Sequence, residues 1–269
     1  MANERNSSSS LRRALELVDL VAAHHADRGL TLTELAAAAG LVKSTTLRLL
    51  GPLLEFGYVE SDAASGRYKL GAVLARLGTD YLEGLDLPGT AAELLRSLSD
   101  ETKLTVHLSV PNGVWMVYVD KVEAPQPVQM ASRVGGRQPM YSTASGHAYI
   151  ALADQEVFDS VVAAGLARRT PNTPTTAEDL RAAVLLARER GFGVDDAANE
   201  HHIRGVAAAV IDATGRPVAA ISVVGPEFSV SVERLDTLGA QVMATARAVS
   251  ARLGARPSVP RTLERGLTQ

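Results

Sequence analysis

The stretch LTLTELAAAAGLVKSTTLRLLGPLLEFGYVESDAASGRY, residues 30–68, decides the reading of the chain. Thr31 followed by Glu34 is a capping box that starts a short helix rich in Ala and Leu. Gly40 stops it, because glycine tolerates the left-handed backbone a helix C-terminus needs. A second helix begins near 42–44, after a turn of a few residues. Two helices joined by a tight Gly-containing turn form a helix-turn-helix. On the second helix Leu47, Leu50, Leu53 and Leu54 are expected to line the buried face. That leaves Lys43, Ser44, Thr45 and Arg48 free near the helix start, the part that meets a major groove. Hydroxyls bond phosphate or base edges, Lys neutralises phosphate and Arg grips guanine. Thr33 and Thr46 join them as candidate DNA contacts. After Gly57, the runs YVE and RYKL flank SDAASG as a hairpin, so a winged helix is expected, with Arg67 and Lys69 on the wing. Gly51-Pro52 falls inside the second helix, where proline removes a donor; a kink or an early end is expected there.

Working outward, Leu11, Leu15, Val18 and Val21/Ala22 recur at helical spacing and predict a first helix packed on this pair. The polar MANERNSSSS before it reads as a disordered leader. His24-His25 reads as a solvated last turn rather than a chelate, since adjacent helical residues point about 100° apart. GAVLARLGTDYLEG (71–84) predicts a connecting helix, and a fresh helix runs from Leu85 to about Glu101. The expected organisation is therefore leader 1–9, winged domain 10–70, linker helix 71–87, second domain 88–254 and a flexible tail 255–269.

In the second domain, strands are expected at 104–110, 114–122, 127–134, 191–196, 205–212 and 217–225, with helices at 148–152, 155–164, 176–190 and 231–253. Pro111-Asn112-Gly113 and Ala213-Thr214-Gly215-Arg216 mark hairpin turns. Hairpin connections with grouped helices indicate an α+β fold on an antiparallel sheet of about six strands.

With 269 residues, 46% hydrophobic content and no cysteine, the chain is long enough for two cores and excludes disulfides and thiolate chemistry. No apolar run approaches a membrane span of about 20 residues, so no membrane partner is expected and a cytoplasmic location is. The net charge is −3. The first seventy residues carry eight Lys/Arg against eight Asp/Glu. Because screening acts over about 8 Å, local placement outweighs the sum, and weak affinity for random DNA is expected.

STASGH (142–147) brings hydroxyls and a histidine together, which raises a hydrolase. It lacks the G-x-S-x-G elbow, and the competing reading is a helix start whose backbone donors suit an anion. Asp195, Asp196, Glu200, His201 and His202 match no zinc spacing and read as a solvated loop. SRVGGR (132–137) lacks the ending of a phosphate loop. No catalytic residue, metal site or cofactor is assigned.

SLRRALELVDLVA, TLTELAAAAGLVKSTTLRLL, FGYVE and GRYKLG resemble the winged domain of the isocitrate lyase regulator (IclR) family. MYSTASGHAYIALA, TTAEDLRAAVLLARERGFGVDD and GVAAAVIDATGRPVAAISVVGP resemble its effector-binding domain. The resemblance implies a regulator that is a homodimer or a dimer of dimers, with a GAF-like C-terminal domain holding a small metabolite. By position it places the effector pocket at Ala144, Ser145, Asp195, Gly205, Ser222 and Val224. Gly205 stands where the family often has Cys, Val224 where some relatives have a second Ser, and Ala198 where a Glu is common. Fewer polar partners and added room suggest a bulkier, partly apolar carboxylate, such as an aromatic acid. The expected function is a DNA-binding transcriptional regulator on a roughly palindromic operator, with effector binding biasing how the winged domains are held. The alternative is a metabolite sensor or enzyme whose helix-turn-helix serves dimerisation only.

Overall fold

A computed structural model describes residues 2–24, 29–84, 86–124 and 130–255. The chain divides into two compact units, Met1–Leu85 and Asp86–Gln269.

The first unit opens with α1, Ala2–Ala23. It takes in residues 2–9, which composition reads as a leader, because extending an existing helix costs far less than nucleating one. Its inner stripe is Leu17 and Val21, both fully buried, whereas Leu11 and Leu15 are exposed. The expected packing face is thus rotated by part of a turn. The strand β1 (Leu30–Thr31) leads into α2 (Leu32–Ala38) through the capping box. The Thr31 N–H donates to Glu34 Oε2 at 2.8 Å, and the Glu34 N–H donates to Thr31 Oγ1 at 3.3 Å. Gly40 adopts φ +63° and ends the turn.

Helix α3 runs Lys43–Glu55 and continues through Pro52, so it neither stops early nor is lost there. Pro52 is itself exposed, as is Arg48, whose carbonyl is the one left without a helical donor. The buried face is Leu49, Leu50 and Leu53 with Thr46; Leu47 is 51% exposed. Those leucines pack with Leu17, Val21, Leu35, Val59 and Tyr68 into one core. The wing is β2 (Val59–Ser61) and β3 (Arg67–Leu70), with β1 pairing on the far side of β3. Asp62 shapes the wing turn by accepting from the Ala64 and Ser65 N–H groups. Helix α4 (Ala72–Gly84) follows, its first turn held by Glu60 Oε1, which accepts from the Ala72 N–H.

The second unit starts with α5 (Asp86–Thr102) and builds a six-stranded antiparallel sheet. Its strands are β4 (Thr105–Asn112), β5 (Trp115–Val122), β6 (Arg137–Pro139), β7 (Gly193–Asp196), β8 (Ile203–Ile211) and β9 (Pro217–Pro226). The order is β6-β5-β4-β9-β8-β7. The strand expected at 127–134 is not found: residues 127–129 lie outside the described residues, and 130–134 form no ladder. Gly135 and Gly136 turn the chain there, and the third strand forms after them at Arg137–Pro139. The helices are α6 (Ala144–Ile150), α7 (Gln155–Ala163), α8 (Ala177–Arg190) and α9 (Leu235–Arg252). A second capping box, Thr176 with Asp179, starts α8, and Gly191 at φ +82° ends it. Helix α6 lays Ala144 and Ala148 on Ala207 of β8, small side chains that permit close approach. Residues 256–269, expected to be a flexible tail, and His25 lie outside the described residues.

Candidate DNA interface and effector pocket

At the start of α3, Val42 provides no side-chain cap, and its carbonyl accepts from the Thr45 and Thr46 N–H groups. Lys43, Ser44 and Arg48 are exposed and Thr45 is half-buried. Among the described residues neither Lys43 nor Arg48 pairs with a carboxylate. Thr33, on α2, is exposed as well. Thr46 is not available: it is fully buried, and its hydroxyl donates to the Val42 carbonyl at 3.2 Å. The i−4 carbonyl satisfies the hydroxyl inside the core, a partner the sequence pattern does not reveal.

The wing bases behave differently. Arg67 Nη1 donates to the Gly29 carbonyl at 2.7 Å and to Glu34 Oε2 at 3.1 Å, tying the wing to the capping box. Lys69 Nζ meets Asp62 Oδ2 at 3.1 Å. The Ser65 N–H, then Lys69, hold the Asp62 carboxyl down at about 2, so it is a carboxylate at neutral pH.

In the second unit the strand registers bring one set of alternating side chains to a common face. His107 of β4 sits opposite Ser222 of β9, Val224 opposite Gly205 of β8, and Gly205 opposite Asp195 of β7. This is the face that α6 covers. A cavity of about 130 Å³ lies here, and all six positions named from the resemblance line it: Ala144, Ser145, Asp195, Gly205, Ser222 and Val224. A Cβ on Gly205 would stand 3.1 Å from the Val223 carbonyl, so the missing side chain gives β8 and β9 their fit as well as leaving room.

Sequence reasoning missed several lining residues: His107, Tyr118, Ser132, Gln138, Asn199 and Ile203. His107 stacks on Tyr118 with ring centroids 4.3 Å apart, and its Nε2 lies 2.6 Å from Ser132 Oγ. Burial, and to a lesser degree Lys121, pull the imidazole down to about 3, so it is neutral. Burial, then Glu200 and Asp195, push the Tyr118 phenol upward, so it remains a donor. The hydroxyls of Ser145, Ser222 and Tyr118 make no hydrogen bond within the described residues. They are three free donors around one cavity.

Asp195 is buried, and burial pushes its carboxyl up to about 7, assisted by Glu200 and Asp196. Its Oδ1 accepts from the Ala198 N–H at 2.7 Å and the Asn199 N–H at 3.2 Å. To offer those donors the chain turns through Ala197 at φ +51°, a conformation that costs a non-glycine residue free energy. Residues 169–173 brace this turn from outside. Thr170 and Thr173 hydroxyls donate to the Ala198 carbonyl, Arg169 Nε to the Asn199 carbonyl, and Asn172 Nδ2 to that of Asp196. The Thr and Asn of this segment read as ordinary loop residues in sequence, so no signal marked them.

The histidine of STASGH is structural. His147 is buried with Nδ1 3.0 Å from the Val194 carbonyl and Nε2 2.8 Å from that of Tyr141. Both nitrogens face backbone carbonyls, burial favours the neutral ring, which donates to one of them, and the Ser142 hydroxyl donates to Asn199 Oδ1 instead. Within this loop neither serine meets His147 as a general base. His201 and His202 are exposed, and among the described residues no group of three His, Asp or Glu gathers as a metal site.

Comparison with known proteins accords with this anatomy. Residues 10–63 match the IclR helix-turn-helix domain, and 79–251 match the C-terminal domain of bacterial transcriptional regulator IclR. The chain is 33% identical over 246 residues to the HTH-type transcriptional regulator KdgR of Escherichia coli, covering 91% of this chain and 94% of that protein. The structure resembles that of Thermotoga maritima IclR with TM-score 0.69 and 29% identity, over 92% of this chain and 99% of the other. It shares its fold with an IclR homologue from Microbacterium hydrocarbonoxydans complexed with 4-hydroxybenzoate (TM-score 0.74, 24% identity, 91% and 98% covered). A winged helix-turn-helix followed by an effector-binding domain, matched along nine-tenths of its length, makes this chain a member of the IclR family of bacterial transcriptional regulators.

Proposed function

We propose that this regulator reads its operator through the first turns of α3 and answers to a small organic acid held in the 130 Å³ cavity. The observation that supports the DNA reading is the contrast in cation placement. Lys43 and Arg48 stand exposed without carboxylate partners beside Ser44 and Thr45, while the wing bases are engaged within the unit. Base readout then falls to Arg48 and phosphate neutralisation to Lys43, with Thr33, Ser44 and Thr45 as hydroxyl partners. Arg67 and Lys69 act mainly by holding the wing in place. Two such units in a homodimer, or four in a dimer of dimers, would meet a palindromic site. No described helix is long and apolar enough to cross a membrane. We place the protein in the cytoplasm with its DNA.

The cavity supports an acid of about the size of one six-membered ring. It is smaller than the roughly 300 Å³ at which common ligand pockets begin. Ala144, Ile203 and Val224 offer an apolar wall, and the free hydroxyls of Ser145, Ser222 and Tyr118 offer donors to a carboxylate.

The test titrates the full-length protein against DNA upstream of its own gene and neighbouring operons, at two salt concentrations with random competitor. Affinity that survives the competitor, weakens with salt and changes on adding an aromatic acid is the expected result. Binding no tighter than to random DNA on every fragment, with and without acids, would defeat the operator reading.

A further inference from the structure

The cavity has an unusual charge balance for a site that takes an acid. Asp195 and Glu200 line it, and among the described residues no Lys or Arg does. Three cations around it are bonded elsewhere, Arg169 among them, whose Nε donates to the Asn199 carbonyl. Arg204, beside Gly205 on β8, pairs with Asp196 and Glu227 and donates to the Val230 carbonyl. Lys121 of β5 is bound by Glu123 and by the carbonyls of Met130 and Ser132. The other titratable groups facing Asp195 are neutral or bonded. They are His107 from β4, Tyr118 from β5, and His147 from α6, whose nitrogens meet the Val194 and Tyr141 carbonyls. From β9 come only Ser222 and Val224. A carboxylate entering this cavity would therefore be a further negative charge in a buried site without a cation. Burial disfavours a second ionised carboxylate beside Asp195.

We infer that the effector acid binds with uptake of one proton, held between its carboxylate and Asp195 as a carboxyl–carboxylate pair. This rests on the reading of the ligand as an acid. The geometry favours the pair because Oδ1 of Asp195 is already saturated by the Ala198 and Asn199 N–H groups. Oδ2 makes no hydrogen bond within the described residues and is the atom left to carry and donate the proton. The proton comes from solvent, and no bond other than O–H is made. The ligand's second oxygen is then free to accept from Ser145, Ser222 or Tyr118. The site becomes an acid sensor whose affinity follows pH without any titrating histidine.

Isothermal titration calorimetry of the full-length protein with benzoate, 4-hydroxybenzoate and phenylacetate tests this. Each acid is titrated at pH 6 and pH 8.5 in pairs of buffers with different ionisation enthalpies, which counts protons directly. The expected result is close to one proton taken up per acid bound at pH 8.5 and little uptake at pH 6. Kd should rise about tenfold per pH unit above pH 7. Asp195→Asn, which keeps the Oδ1 acceptor, should bind the acid with no uptake and a flat pH profile. Acid binding at pH 8.5 with no proton uptake by the unaltered protein, or with unchanged uptake in Asp195→Asn, would overturn the inference. If none of the acids binds at either pH, the acid reading itself fails and takes the inference with it. The unaltered protein's buffer dependence decides the matter even if the variant does not fold.

Discussion

The two units handle charge in opposite ways. In the winged unit, cations sit at the surface and are sorted by partner: Lys43 and Arg48 stand open on α3, and Arg67 and Lys69 are closed by Glu34 and Asp62. In the effector unit, two carboxylates line a cavity and, among the described residues, no Lys or Arg lines it with them. The first arrangement suits a polyanion that brings its own charge. The second suits a small ligand that must arrive with a proton or with donors. The difference shows that a net charge of −3 says little about either site. What each ligand meets is the local field, and its depth below the surface sets how strongly that field acts.

The sharpest way to probe this contrast is the stability of the ligand-free protein as a function of pH. Asp195 holds its proton up to about pH 7 in the folded chain and to about 3.8 when unfolded. Its contribution is therefore full below about pH 4 and lost as pH rises through 7. Asp195→Asn removes that loss. The variant should be more stable at pH 8 by up to roughly 4 kcal/mol, with the advantage vanishing near pH 4, as read by urea unfolding across the range. A variant equally stable at pH 8 would mean that Asp195 is not a buried cost.

Second in size is Arg48→Ala. Loss of a guanine contact should weaken specific operator binding by about 1–3 kcal/mol while random-DNA affinity changes little. Lys43→Ala should instead weaken both and lower the salt slope by about one. Fluorescence anisotropy at several salt concentrations separates the two. If Arg67→Ala produced the same loss of specificity as Arg48→Ala, the distinction between open and closed cations would fail. Our expectation for Arg67→Ala is a Tm lower by a few degrees, from loss of the Gly29 and Glu34 contacts, with the salt slope unchanged. Smallest of all is Leu47→Ser. With Leu47 exposed, its stability should move by no more than about 0.5 kcal/mol, whereas Leu50→Ala, in the core, should cost about 2–5 kcal/mol.

Local chemistry explains which features were legible in advance. The capping box at Thr31, the stop at Gly40 and the wing turn after Asp62 all depend on residues within a few positions, so the residue types suffice. The α3 face was harder. Leu47 and Leu49 are both leucine at plausible spacing, and only the direction in which α1 and the wing approach decides which is buried. The described part of the strand expected at 127–134, residues 130–134, forms no ladder, while the short run after Gly136 pairs with β5. The six pocket positions came from likeness to a family. His107 and Tyr118 stayed hidden because alternation assigns them to a face without saying what that face encloses.

The sequence by itself therefore determined the helix-turn-helix and wing, and the order of elements apart from the strand expected at 127–134. Those are consequences of caps, turns and periodicity, whose range is a few residues. Only the tertiary structure decided that Thr46 turns inward, that Arg67 is spent on Glu34, and that Asp195 is buried beside Glu200 without a cation. Burial, and the pairing of Arg67 with Glu34, are set by residues tens of positions or more apart, and their energies exist only once the chain has excluded water between them.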